Sequence, residues 1–233
     1  MSVRAGVAVA GGILMLAACS TDTSPTGSGN PAPADRTTAV ATSAAPPTAS
    51  PTAAAAGAPS VTALPVGPGP QKHYTVQAQP PVGTCHYRYE KGEPLEDPAC
   101  TPGAISPAVT QATIGTTICR KGGYTGGIRP PESVTAKEKA ANAKSYGYAG
   151  SLSDAEYDHL VSLQLGGDPN DPRNLFVEPP DPGHKPGTGV NNAKDPVETK
   201  LHTAVCSGKI TLAQAQQAIA TDWTTALTVL HLG

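Results

Sequence analysis

Apolar and polar positions divide the chain into three regimes. A short apolar run covers Ala5 to Leu16, residues 20–70 carry almost no large apolar side chain, and patterned apolar residues begin at about Lys72. The clearest pattern lies near the C-terminal end. Leu212, Ala215, Ile219, Trp223, Ala226 and Leu230 recur at spacings of three and four, which predicts a helix with one buried face. Thr211 with Gln214 forms its capping box. A preceding helix is expected from Asp195, with Pro196 at the first helical position and Glu198 three residues after the cap, ending near Cys206 before Gly208. A further helix is expected over Thr135–Tyr146, with Thr135 and Glu138 as a capping box and Gly147 as its stop. Between these, an alternating run predicts a strand over Asp158–Leu165 and a second over Leu175–Val177, joined by the turn "GGDPNDPRN". Residues 72–132 read as loop with short strands at "HYTV", "HYRY" and "TTIC". The fold class is therefore α+β, and strand, turn, strand, loop, helix is a ββα unit.

Composition explains the first two regimes. The chain of 233 residues holds 25 Gly and 25 Pro, too many for one uniform globule. Arg4 and the run Ala5–Leu16 have the form of an export signal, too short to span a bilayer as a stable helix. The run ends in "LAACS", which resembles a bacterial lipobox and implies acylation of Cys19 after removal of residues 1–18. Residues 19–71, rich in Ala, Pro, Thr and Ser, cannot bury a core and read as a disordered tether reaching up to ~150 Å at ~3 Å per residue. Residues 72–233 form one domain. The expected location is the outer face of the cell membrane, held there by the lipid on Cys19, and the expected state is a monomer.

Cys19 also accounts for the odd count of five Cys. The remaining four, Cys85, Cys100, Cys119 and Cys206, predict two disulfides in an exported domain, with three possible connectivities. Cys85–Cys100 as a local loop and Cys119–Cys206 as a long staple are favoured. With one Phe and one Trp the core is modest, so the bridges carry weight. No C-x-x-C spacing is present to frame a four-thiolate zinc site.

The chemistry concentrates in "YDHLVSLQLGGDPNDPRNLFVEP". Asp158 and His159 stand at the front of the first strand and Asn174 at the front of the second. Hydrolysis of a phosphodiester needs an activated water and charge neutralisation at phosphorus. A hard oxygen ligand for a divalent cation beside a neutral imidazole supplies both. Successive strand residues face opposite sides, so Asp158 and His159 share one site only where the strand begins, twists or bulges.

"DHLVSLQLGG", "DPRNL", "VEP" and "AKD" followed by "E" and "LH" resemble the active-site motif of HNH-type endonucleases, the ββα-metal nucleases, in the form found in exported actinobacterial proteins. The resemblance is close over residues 157–202 and extends more loosely over residues 100–225. It implies a small disulfide-stapled domain with a ββα-metal core and added helices, hydrolysing DNA. It implies a divalent ion, Mg2+ first, with Mn2+ or Zn2+ as alternatives. In the implied roles Asp158 binds the ion, His159 is the general base and Asn174 holds the His-bearing loop. The third ligand of such sites is a His or Asn at the start of the helix. The sequence offers Asn192, with Asn191 in reserve, and no His.

Arg129 and Arg173 are the candidate phosphate contacts, since Arg binds phosphate bidentately. The net charge of −2, without a basic run or an aromatic platform, gives no support for tight sequence-independent nucleic-acid binding. Asp168 and Asp171 read as turn formers, Gly166 and Gly167 as residues that let the chain reverse, Asp195 as a helix cap, and His184 as a surface residue. The alternative function is a non-catalytic surface lipoprotein that keeps the fold as a binding scaffold.

Overall fold

The computed structural model describes residues 63–190 and 192–233. The expected signal, Cys19, most of the tether and Asn191 lie outside the described residues. In chain order the described elements are β1 (Arg88–Glu90), β2 (Glu93–Leu95), α1 (Glu132–Ser145), β3 (Glu156–His159), β4 (Leu175–Glu178), α2 (Lys194–Cys206), α3 (Leu212–Asp222) and α4 (Ala226–Val229). The architecture is α+β, with β1–β2 and β3–β4 as separate antiparallel pairs. Among the described residues no helix is long and apolar enough to cross a membrane.

Helix α3 follows its sequence signals. Gln214 N donates to Thr211 Oγ1 and Thr211 N donates back to Gln214 Oε1, the reciprocal capping box. Leu212, Ala215, Ile219, Trp223 and Ala226 are all buried. The helix stops at Asp222 because its carboxylate accepts from Thr224 N and Thr225 Oγ1, and the stripe resumes in α4. These residues pack with Leu201, Ala204 and Val205 of α2 and with Val161 and Leu165 into the main core.

Helix α1 starts three positions before the expected Thr135. Pro131 precedes it at φ −69° and ψ 151°, and Glu132 puts a carboxylate in the first turn, favourable at a helix N-terminus. Glu138 caps nothing here. It is fully buried and its Oε1 accepts from Gln77 N at 2.6 Å.

Strand β3 is shorter than expected. It ends at His159 because Asn174 takes both backbone groups of Val161, donating to its O and accepting from its N, each at 3.0 Å. The ladder has no partner left there, and Leu163–Leu165 closes as a 3-10 turn. The register opposes Glu156 to Glu178, Tyr157 to Val177, Asp158 to Phe176 and His159 to Leu175. "HYRY" contributes to β1, whereas "HYTV" and "TTIC" form no strand.

The folded part begins by Leu64, not at Lys72. Leu64 packs on the main core, Val66 bridges Ile105, and Gly69 N donates to Asp168 Oδ2. Both favoured disulfides are present, Cys85–Cys100 and Cys119–Cys206. The first closes a smaller cluster in which Tyr146 lies against Phe176 and Tyr87, with the two tyrosine rings 4.7 Å apart.

Candidate functional site

The segment between β3 and β4 is held by one side chain. Asn174 is fully buried and uses its whole amide. Its Oδ1 accepts from Val161 N and from Ala104 N at 3.2 Å, and its Nδ2 donates to Val161 O and to Asp168 O at 3.0 Å. Gly167 sits against this brace. A Cβ there would collide with Val161 O and with Asn174 Nδ2, so Gly167 serves close approach rather than reversal alone. Gly166, at φ 76°, takes the left-handed conformation of the turn. Asp168 is more than a turn former, since its carboxylate accepts from Gly69 N as well as from Asn170 N and Asp171 N.

His159 closes β3 and lines a polar cavity of about 210 Å³ that also contacts Arg129, Asp158 and Glu198. The ring is buried, and Nε2 donates to Pro169 O at 3.1 Å. That bond fixes the tautomer and leaves the lone pair on Nδ1. Burial pushes the imidazole down to about 4, outweighing the Pro169 carbonyl, so the ring is neutral near pH 7.

Asp158 stands beside two carboxylates. One oxygen each from Glu156, Asp158 and Glu178 lies within 4.8 Å of the others. Burial, then Asp158, raises Glu156 to about 7, and the same two causes raise Glu178 well above the usual carboxylate range. The compensating cation is Lys194, fully buried at the start of α2. Its Nζ donates to Asp158 Oδ2 at 2.6 Å, His159 O at 2.9 Å and Glu198 Oε1 at 2.5 Å. Burial acts to lower this ammonium, but Asp158, Glu198 and Glu178 together raise it well above the ordinary lysine range. Lys194, Glu156 and Glu178 escaped the sequence reading. The only signal for Lys194 is the i,i+4 spacing to Glu198, which usually marks an exposed pair.

Asn192, the expected helix ligand, lies beside the carboxylates. Asn192 Oδ1 accepts from Lys194 N, the first residue of α2, at 2.8 Å. Its Nδ2 turns to the carboxylates, donating to Glu178 Oε2 at 2.6 Å and Glu156 Oε2 at 3.3 Å. Asp195 is not the cap; α2 begins at Lys194, and Asp195 borders the cavity.

The two arginines part company. Arg173 is engaged with Asp171, Nε to Oδ1 at 2.9 Å and Nη2 to Oδ2 at 2.5 Å, and reaches Val66 O, outside the lining of the His159 cavity. Arg129 is exposed on the cavity wall and makes no ion pair among the described residues. His184 is not on the surface; its side chain is buried with Nε2 3.6 Å from Asp154 Oδ1. His202 lies beside the long disulfide, with Nε2 2.9 Å from Ile118 O and 3.3 Å from Cys206 Sγ.

The geometry thus gathers a neutral imidazole, Glu156 and Asp158 of the carboxylate cluster and one open guanidinium on a single cavity, with Asn174 behind them. Comparison with family models, with curated proteins and with solved structures yields no match, so the reading of this site stands on its own residues.

Proposed function

We propose that the chain is a metal-dependent phosphodiester hydrolase of HNH type acting on DNA. The observation that carries this reading is His159. Its ring is neutral, held through Nε2, and lines the same cavity as Asp158 and Arg129. The order β3, β4, α2 supports a ββα arrangement.

The donors fit a hard divalent cation, since carboxylate oxygen is what Mg2+ and Mn2+ take, and Glu178 Oε1 is buried without a hydrogen-bond partner. Asp158 would hold such an ion, which would supply charge neutralisation at a non-bridging phosphate oxygen and support for the leaving oxygen. His159 Nδ1 accepts a proton from the attacking water. Arg129 meets the phosphate from the open side of the cavity. Asn174 touches no substrate; it keeps the Val161–Asp168 backbone, and with it the ring's Pro169 partner, in position. The two disulfides suit an oxidising compartment, in keeping with an exported protein anchored through Cys19.

The test is plasmid nicking by the chain with Mg2+ or Mn2+. Wild type converts supercoiled DNA to open circles and His159→Ala does not. Equal nicking by both removes His159 as the base. A non-catalytic scaffold is favoured by one observation, the ammonium of Lys194 already seated among the carboxylates. That reading predicts no cleavage by folded wild type with either ion.

A further inference from the structure

Two glutamates given no role by the sequence stand directly opposite each other on the β3–β4 ladder, Glu156 against Glu178. Like charges at opposed ladder positions repel. Glu178 does so at 2% exposure, where water screens little. Asp158 lies two positions along β3, so it shares a face with Glu156. Three carboxylates therefore converge, one oxygen each within 4.8 Å of the others. Two metal–oxygen bonds of about 2.0–2.6 Å span that separation.

Among the described residues the hydrogen bonds around the three leave one oxygen of each open. Asn192 Nδ2 takes Oε2 of both glutamates, and Lys194 Nζ takes Asp158 Oδ2. Among the described residues no hydrogen bond reaches Glu156 Oε1 or Asp158 Oδ1. Glu178 Oε1 is buried outright with no partner. Burying a carboxylate oxygen without a donor is unfavourable, and a fold retains one where a ligand satisfies it. Asn192 and Lys194 also tie the three carboxylates to the start of α2.

We propose that Glu156, Asp158 and Glu178 form a three-carboxylate site for one hard divalent cation, the two glutamates filling the ligand positions expected of the loop asparagines. The catalytic use of this ion rests on the phosphodiesterase reading, whereas its binding does not depend on turnover. An all-oxygen, triply anionic donor set selects Mg2+, Mn2+ or Ca2+ over the nitrogen- and sulfur-seeking metals. Asn192 then acts as a positioning residue, with Nδ2 on the glutamates and Oδ1 on the α2 backbone.

The experiment titrates the full chain, stripped with chelator, with Mn2+ alone. Free Mn2+ is read by electron paramagnetic resonance above neutral pH. One Mn2+ binds per chain, Glu156→Gln and Glu178→Gln each weaken binding about tenfold or more, and Asn192→Ala weakens it less than either. Thermal melts check folding; Glu178→Gln removes a buried like charge and melts no lower than wild type without metal. Should Glu178→Gln fail to fold, the half-buried Glu156 carries the test. Wild type that binds no Mn2+, glutamine variants that bind as wild type does, or a larger loss in Asn192→Ala each overturn the site. Plasmid nicking separates the two readings. Mn2+ bound through the glutamates with DNA left uncut defeats the hydrolase reading and keeps the site. Cleavage with undiminished affinity in the glutamine variants does the reverse.

Discussion

The Lys194 ammonium lies 2.6 Å from Asp158 Oδ2, closed to solvent, with Glu198 Oε1 on its other side. Removing one member of such a buried set is more damaging than the set is stabilising, because the partners remain charged and dry. Lys194→Met is expected to lower unfolding free energy at neutral pH by about 3 kcal/mol or more, measured by urea denaturation. The deficit should shrink in Mn2+, since a bound cation replaces part of the lost charge. A variant as stable as wild type without metal would show that the buried ammonium adds no net stability.

Asn174 links four backbone groups from three segments, Ala104, Val161 and Asp168. Asn174→Ala leaves those groups buried and unpaired, at a cost of about 1–3 kcal/mol for the first and less for those that find new partners. Asn174→Asp keeps the acceptors but places a carboxylate against Val161 O and Asp168 O, so it is expected to be the worse of the two. Thermal melts of both variants decide the order. Gly167→Ala is expected to resemble them, because its new Cβ collides with Val161 O, which the amide holds, and then with Asn174 Nδ2 itself.

What the sequence makes legible follows from how local each signal is. The capping box at Thr211, the stripe from Leu212 to Ala226 and the turn before Leu175 are written in residues close along the chain, and all are present. The disulfide pairing is legible only in part, because four cysteines allow three connectivities; the favoured one is present. The end of β3 is not, since it depends on Asn174 reaching back to Val161. The roles of Glu138 and Asn192 are not legible for a similar reason. Both obey a helix-start pattern, but Glu138 is taken by Gln77 and Asn192 by the carboxylates of β3 and β4. Glu156 and Glu178 become neighbours only through the register, so their pairing appears once the ladder is drawn.

The two bridges should differ in effect. Cys119–Cys206 spans a sequence separation of 87 and Cys85–Cys100 one of 15. The longer loop restricts the unfolded chain more, about 4–5 kcal/mol against about 3. Replacing Cys119 and Cys206 together by Ala is therefore expected to lower the melting temperature more than replacing Cys85 and Cys100. The first bridge also ties α2, which carries Lys194, to the preceding loop, so its loss should reduce Mn2+ affinity as well. The reverse order in the melts would mean that the Tyr146 cluster, not chain restriction, sets the ranking.

His159 makes stability depend on pH in a definite window. Its folded value is about 4 against about 6.5 for a free imidazole. Between these values the unfolded chain binds a proton that the folded chain refuses, so the folded state loses stability as pH falls from about 6.5 to about 4, and no further below that. For a ring buried this deeply the loss is of order 3 kcal/mol. Glu156 has the opposite sign: its folded value is raised to about 7, so its contribution is full below about 4.5 and is lost as pH rises through 7. The two slopes overlap and mask each other in wild type, and single variants separate them. Relative to wild type, His159→Asn is expected to gain stability as pH is lowered through 6.5 to 4. Glu156→Gln is expected to gain as pH is raised from 4.5 to 7. Urea denaturation across this range reads both differences, and parallel curves for wild type and His159→Asn would mean that the buried ring takes its proton as readily as a free one.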